Sequence, residues 1–135
     1  MTTTINASTS TGLISTADTS GIIKLQSNGV TTNALAWFKA SWNGTTMSVA
    51  SSYNISSLTR NSAGSYTITM SNALADTNYA VIGTLTQSSS YSGTLWFLND
   101  VRVAATTTTV FGISTYNTSF GSADPAFINV AVFGN

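Results

Sequence analysis

The feature that most constrains the fold is a two-residue alternation of apolar and polar side chains in short segments. In residues 65–70, SYTITM, large apolar residues alternate with Ser and Thr, and in 127–133, FINVAVF, Ile and two Val fall on one face. Side chains two residues apart share one face of a β-strand. Because no stretch keeps the 3.6-residue period of an amphipathic helix, we predict an all-β protein.

The spacing of these segments indicates an antiparallel architecture. Asn-Gly pairs at 28–29 and 43–44 favour tight hairpin turns between flanking strands. We predict about eight short strands, which is typical of an antiparallel β-sandwich or a jelly-roll-like domain. The predicted strands lie within 21–26, 34–42, 46–50, 65–70, 79–87, 94–103, 106–115 and 127–133.

The chain has 135 residues, which is the length of one domain. Residues 1–20 are rich in Thr and Ser and have few large apolar side chains, so we expect an extended N-terminal arm over residues 1–30, followed by a β-sandwich domain over 31–135. The first residues lack a basic region followed by an apolar one, so we expect no signal peptide. No apolar run approaches the roughly 20 residues of a membrane helix, so we expect no membrane insertion.

The charge content excludes several classes of function. Only 6% of residues are charged, four basic against four acidic, and the chain contains no His and no Cys. A thiol nucleophile, a histidine base and a zinc site with sulfur or imidazole ligands are therefore excluded. Four basic residues cannot follow a phosphate backbone, so we predict no nucleic acid partner. A neutral, charge-poor surface favours association, so we predict a closed homo-oligomer.

The four aspartates leave a glycan-cleaving enzyme as an alternative, because glycoside hydrolysis uses a pair of carboxylates. Asp18, Asp76 and Asp124 stand in turn contexts, which Asp favours for structural reasons. Asp100 is close enough to Arg102 for a local ion pair. We therefore predict no catalytic residue, no cofactor and no metal; a calcium site would require scattered oxygen ligands to converge in the fold.

Aromatic residues carry the alternative of carbohydrate binding. We expect the three Trp residues to lie in the core or at an interface, because aromatic side chains contribute large buried areas. Two tyrosines are candidates for ligand or host contact because they lie in or beside polar loops, where binding residues are common. Tyr91 lies in SSSYSGT, and Tyr116 precedes NTSFGS.

Several segments resemble a module of tailed-bacteriophage virion proteins, especially tail-fibre-like proteins. The resemblance covers most of the chain in the expected order. Residues 5–29 are similar to the opening segment of such proteins, and NVAVFGN at 129–135 is similar to their closing strand. Between them, the matching segments are Ala-Trp at 36–37, Asn-Gly-Thr at 43–45, SYNISSLT at 52–59, GSYTITM at 64–70 and NYAVIG at 78–83.

The resemblance implies a non-enzymatic structural protein on the exterior of a phage particle, made in the bacterial cytoplasm. It implies a homotrimer, and no motif of this module is catalytic, so no active-site residue carries over. The short chain favours a small capsid decoration (cement) protein or a head fibre, docked on other virion proteins through the N-terminal arm. The alternative is a short tail-fibre or tail-tip protein that binds a host surface glycan.

Overall fold

The computed structural model of the protein describes residues 33–87 and 96–134, together with two short strand segments at 26–27 and 30–31. In this part of the chain every regular element is a β-strand. Two antiparallel four-stranded sheets pack face to face, which confirms the predicted all-β sandwich. A helix able to cross a bilayer does not occur among the described residues.

The strands fall into three groups. A two-stranded ladder contains β1 (Gln26–Ser27) and β2 (Val30–Thr31). Sheet A has the order β4 (Met47–Tyr53), β3 (Ala36–Trp42), β10 (Phe127–Gly134), β7 (Tyr79–Thr86). Sheet B has the order β5 (Ile55–Ser62), β6 (Ser65–Met70), β9 (Val110–Tyr116), β8 (Trp96–Asn99).

Paired antiparallel strands flank both Asn-Gly pairs of the sequence. The β1–β2 ladder flanks residues 28–29, and β3 and β4 flank residues 43–44. At the second turn the Asn43 side-chain oxygen accepts hydrogen bonds from the backbone N–H of Thr45 and Thr46, at 2.9 and 2.8 Å. Gly44 has a φ of 95°, a conformation that glycine adopts at little cost. The rest of the predicted arm, and the strand predicted over 21–25, lie outside the described residues.

The core lies between the two sheets and consists of the alternating faces that the sequence indicates. Tyr66, Ile68 and Met70 of β6 are buried, as are Ile128 and the valines of β10. These residues form one cluster with the following buried side chains: Ala36, Phe38, Ala40, Met47, Phe111 and Ile113. Removal of this apolar surface from water is the main favourable contribution to folding.

The chain passes from sheet A to sheet B at Asn54, and the strand that follows was not predicted. Asn54 has a φ of 55°, and its side-chain amide donates to the carbonyls of Leu35 and Asn72. Its side-chain oxygen accepts from the Asn72 N–H at 2.7 Å. The next strand, β5, is an edge strand with the sequence ISSLTRNS, and its exposed polar side chains hide the alternation.

Two predicted strands are shorter than expected because side chains redirect the backbone. The strand predicted over 94–103 ends at Asn99, where the Asp100 carboxylate accepts the N–H of Arg102 and starts a turn. The strand predicted over 106–115 begins only at Val110. Thr107 precedes it, and its hydroxyl accepts the Val110 N–H at 2.9 Å. Asp and Thr side chains compete with strand hydrogen bonds in this way.

Candidate functional site

The structure places one of the two predicted contact residues. Tyr116 is the last residue of β9 and is half-buried; Tyr91 lies outside the described residues. Together with Arg102, Tyr116 lines two adjoining recesses on the outer side of sheet B. We call these two recesses the outer cleft. One is polar, with a volume of about 430 Å³, and the other is apolar, with a volume of about 250 Å³.

Arg102 is held in the outer cleft by Asp100, which confirms the predicted ion pair. The Asp100 carboxylate accepts hydrogen bonds from Arg102 Nε at 2.9 Å and Nη2 at 2.8 Å. It also accepts the Arg102 backbone N–H and the Ser114 hydroxyl. The hydrogen bonds from Arg102 hold the pKa of Asp100 well below its usual value despite burial. The same bonds raise the pKa of Arg102, and the Tyr116 hydroxyl adds to the rise.

A close approach between a turn and β9 positions this ion pair. Gly112 of β9 accepts the Asp100 N–H at 2.8 Å, so the turn after β8 lies directly over it. A Cβ atom at Gly112 would lie only 2.5 Å from the Asp100 carbonyl oxygen and 2.6 Å from the Ala104 nitrogen. Glycine is therefore required at this position for the turn to pack on the strand.

The apolar recess is formed by Leu98, Tyr116, Phe120 and the stem of Arg102. Phe120 is 74% exposed and has a φ of 58°, which is rare for a bulky residue. The Asn117 side chain stabilises its turn, because its oxygen accepts backbone N–H groups on both sides of Phe120. Sequence reasoning named Tyr116 but missed Phe120, although a Phe between Ser and Gly in a polar loop was the available signal.

The polar recess offers small hydroxyl and amide groups beside Arg102. Its lining includes Asn61, Ser65 and Ser122, together with Ser114, whose hydroxyl is already bound to Asp100. Together the two recesses place an apolar wall next to a polar one, with a guanidinium group between them. Binding sites for small ligands commonly combine an apolar lining with a few orienting polar groups.

Asp124, expected to serve a turn, instead forms a second ion pair within the sandwich. Its carboxylate accepts Arg60 Nε at 3.0 Å and Nη2 at 2.7 Å, the Gly64 N–H, and the Tyr66 hydroxyl. Burial raises the pKa of Asp124, but the hydrogen bonds from Arg60, Tyr66 and Gly64 outweigh burial and lower it. The Arg60 guanidinium also stacks on the Trp42 ring, 4.9 Å from its centre.

The described aspartates have structural partners. Asp100 and Asp124 each bind an arginine, and Asp76 accepts the Asn78 N–H in the predicted turn. A carboxylate that accepts four hydrogen bonds from the protein is stabilised in its ionised form. Within the described ranges, no group of three or more acidic, His or Cys residues is placed to hold a metal ion.

The outer face of sheet A carries a second candidate surface, which is apolar. Tyr53, Trp37, Ala131 and Ile82 stand in register across its four strands, and we call this row the apolar face. Trp37 is 40% and Ile82 58% exposed, and a shallow depression of about 420 Å³ lies between the strands. Trp37 therefore points away from the core, whereas Trp42 packs against it.

Comparisons of the chain with known protein families, with curated proteins and with solved structures found no match.

Proposed function

We propose that the protein is a non-enzymatic structural protein on the exterior of a phage particle, most simply a small homotrimeric capsid decoration or head-fibre protein. The observation that carries this proposal is the apolar face on sheet A. Large contiguous apolar patches are uncommon on monomeric proteins, and an exposed row of apolar side chains across a whole sheet is a candidate interaction surface. The resemblance of several segments to phage virion modules suggests that the assembly is a phage particle.

The surroundings of the apolar face support assembly with copies of the same chain. Lys39 is the one charged side chain that lines its depression, and its ammonium group lies 4.9 Å from the Phe127 ring centre. The chain as a whole has no net charge, so identical copies repel one another little. Association through this face would bury aromatic surface at little electrostatic cost.

Gold-labelled antibody against the protein, imaged on purified particles by electron microscopy, tests the proposal. We expect label scattered over the head. Label confined to the tail would favour the short tail-fibre alternative, and particles without label would contradict both forms of the proposal.

A truncation tests the predicted docking arm. We expect that a chain lacking residues 1–20 still folds but no longer joins the particle. Circular dichroism reports the fold, and antibody detection in purified particles reports incorporation. Loss of the β-sheet spectrum in the truncated chain would contradict a separate docking role for these residues.

A second candidate function is binding of a host surface glycan, and the outer cleft is the observation that favours it. Tyr116 and Phe120 provide aromatic surface, and the neighbouring recess provides hydroxyl and amide groups. Sugar rings present an apolar face and a polar rim, which such a cleft complements. A glycan array with the wild type and with Tyr116→Ala and Tyr91→Ala variants tests this function, because specific signals should weaken in a variant that removes a contact.

A further inference from the structure

We propose that the outer cleft binds a carboxylate-bearing sugar, such as a hexuronic acid residue, with Arg102 as the residue that determines this specificity. The proposal rests on the second candidate function, because it names the class of glycan that the same cleft takes. It follows from the hydrogen-bonding groups that remain unused around Arg102 and from the shape of the apolar wall beside it.

Each oxygen of the Asp100 carboxylate already accepts two hydrogen bonds: Oδ1 from the backbone and Nε of Arg102, Oδ2 from Arg102 Nη2 and the Ser114 hydroxyl. Neutral sugars present hydroxyl groups that need acceptors as well as donors. Because the acceptor capacity of Asp100 is used within the protein, the one charged acceptor in the cleft has little left to offer a hydroxyl group.

Arg102 keeps hydrogen-bond donors that a ligand can use. A guanidinium group has five N–H donors in a planar fork. Asp100 takes one from Nε and one from Nη2, and the Tyr116 hydroxyl also hydrogen-bonds the guanidinium, so two of the five donors remain for a ligand. The Arg102 side chain is 74% exposed, although the ion pair fixes its orientation. A carboxylate is an acceptor-only group that matches two such donors through two parallel hydrogen bonds.

The apolar recess beside Arg102 can hold the face of a sugar ring. Leu98 and Phe120 are 44% and 74% exposed, and with Tyr116 they line the apolar recess next to the guanidinium. A pyranose ring whose apolar face lies on this wall can place a ring carboxylate at Arg102 and its hydroxyl groups toward the polar recess. The left-handed backbone at Phe120 supports a ligand role, because such strained residues cluster at ligand sites.

Calorimetric titration of the full chain with two matched probes tests the proposal. The probes are a galacturonic acid hexasaccharide and its fully methyl-esterified form, which differ only in whether the carboxylates are free. We expect the free acid to bind at least about ten-fold more tightly than the ester, a difference equivalent to one well-formed charged interaction. Equal affinities, or no binding of either probe, would overturn the proposal.

Variants then assign the preference to Arg102. Arg102→Lys keeps the charge but not the fork, so we expect the preference for the free acid to disappear. Lys39→Gln removes a positive charge from the opposite sheet, away from the outer cleft, and so controls for non-specific attraction of the acidic probe; this variant should keep the preference for the free acid. A preference that survives in Arg102→Lys, or that is lost equally in Lys39→Gln, would overturn the assignment.

Phe120→Ala provides an independent test that leaves the ion pair intact. We expect it to weaken binding of the free acid several-fold while its circular dichroism spectrum stays that of the wild type. Unchanged affinity in this variant would contradict the proposed contact between Phe120 and the sugar ring. Particle labelling is a separate measurement from calorimetric titration. If the protein labels particles but binds neither probe, the proposed structural role is supported and only the proposed glycan site is contradicted.

Discussion

At the scale of single residues, Asp124 is a buried carboxylate that accepts four hydrogen bonds from residues of the other sheet and the turn beside it. It lies in the segment before β10 of sheet A, whereas Arg60 and Tyr66, which donate to it, belong to β5 and β6 of sheet B. Trp42 of β3 covers the Arg60 guanidinium from the side of sheet A. One carboxylate therefore ties the two sheets together at this end of the molecule.

We expect Asp124→Asn to lower the free energy of unfolding by about 3 kcal/mol. The substitution removes the anion that compensates Arg60, and it places an amide N–H toward groups that are themselves donors. Urea denaturation followed by tryptophan fluorescence measures the change. Asp76→Asn is the matched control, because Asp76 accepts a hydrogen bond in an exposed turn and should lose less than about 1 kcal/mol. Equal losses in the two variants would contradict a special role for Asp124.

The ionisable residues also predict the pH dependence of stability. The pKa values of Asp100 and Asp124 are lowered by the fold, so their contribution is present above the unfolded pKa of 3.8 and is lost as pH falls through the folded values. The pKa values of Tyr66 and Tyr79 are raised by burial, so their contribution is lost as pH rises above the unfolded value of 10.0.

Because the chain has no His, Cys or Glu, few groups titrate between these limits. We expect the free energy of unfolding to be nearly constant from about pH 5 to 9 and to fall below about pH 4 and above about pH 10. Urea denaturation at a series of pH values measures this profile. A free energy of unfolding that changed steadily between pH 5 and 9 would contradict the conclusion that these four groups govern the pH dependence.

At the scale of elements, the contact between the turn after β8 and Gly112 of β9 builds the outer cleft. We expect Gly112→Ala to lower the free energy of unfolding by about 1–3 kcal/mol, because the new methyl group overlaps backbone atoms rather than a flexible side chain. The displaced turn should also weaken binding of the free galacturonic acid probe.

Gly121→Ala is the control for this prediction. The three atoms nearest to a Cβ there would be those of the Asn117 side chain, at 3.3–3.6 Å, so the methyl group would not overlap backbone atoms. We expect less than about 1 kcal/mol of destabilisation in this variant. Denaturation midpoints of the two variants, measured side by side, check the pair; a Gly112→Ala protein as stable as Gly121→Ala would show that the turn packs less closely on β9.

The strands that the sequence predicts well are those whose two faces differ in burial. In β3, β6 and β10 one face is buried, and in β7 it is partly buried, while the other face is more exposed. The edge strand β5 carries polar residues on both faces, which hide its alternation. The sequence also could not predict that Asp100 would end β8, because the carboxylate acts through hydrogen bonds formed only after β8 pairs with β9.

The candidate site was predictable only in part, for the same reason. Tyr116 was identifiable as an aromatic residue beside a polar loop, and Arg102 as the partner of Asp100. Their convergence with Phe120 depends on the Asn117 turn and on strand pairing in sheet B. Contacts of this kind join residues that are distant in the chain, and neither periodicity nor composition records them.

At the scale of the whole molecule, the two outer faces differ in character. The outer cleft on sheet B contains an ion pair and polar groups, whereas the apolar face on sheet A presents Trp37, Tyr53 and Ile82. A neutral protein with this asymmetry can assemble through one face and leave the other in contact with solvent. The proposed decoration and the proposed glycan site therefore use separate surfaces and can be tested separately.

Assembly through the apolar face should depend on Ile82, which lies on β7, an edge strand of sheet A. We expect the wild type to have a solution mass three times its chain mass of 14.0 kDa, and Ile82→Glu to have the mass of one chain. Ile82 is 58% exposed, so the glutamate can stay hydrated in a monomer but becomes a desolvated charge at an interface between copies. Light scattering coupled to size-exclusion chromatography measures both masses.

Val101→Glu is the control for this prediction, because it makes the same chemical change at a residue that is 65% exposed on the turn after β8, and it should remain trimeric. A monomeric wild type, or an Ile82→Glu protein that stays trimeric, would show that copies of this chain do not meet through sheet A.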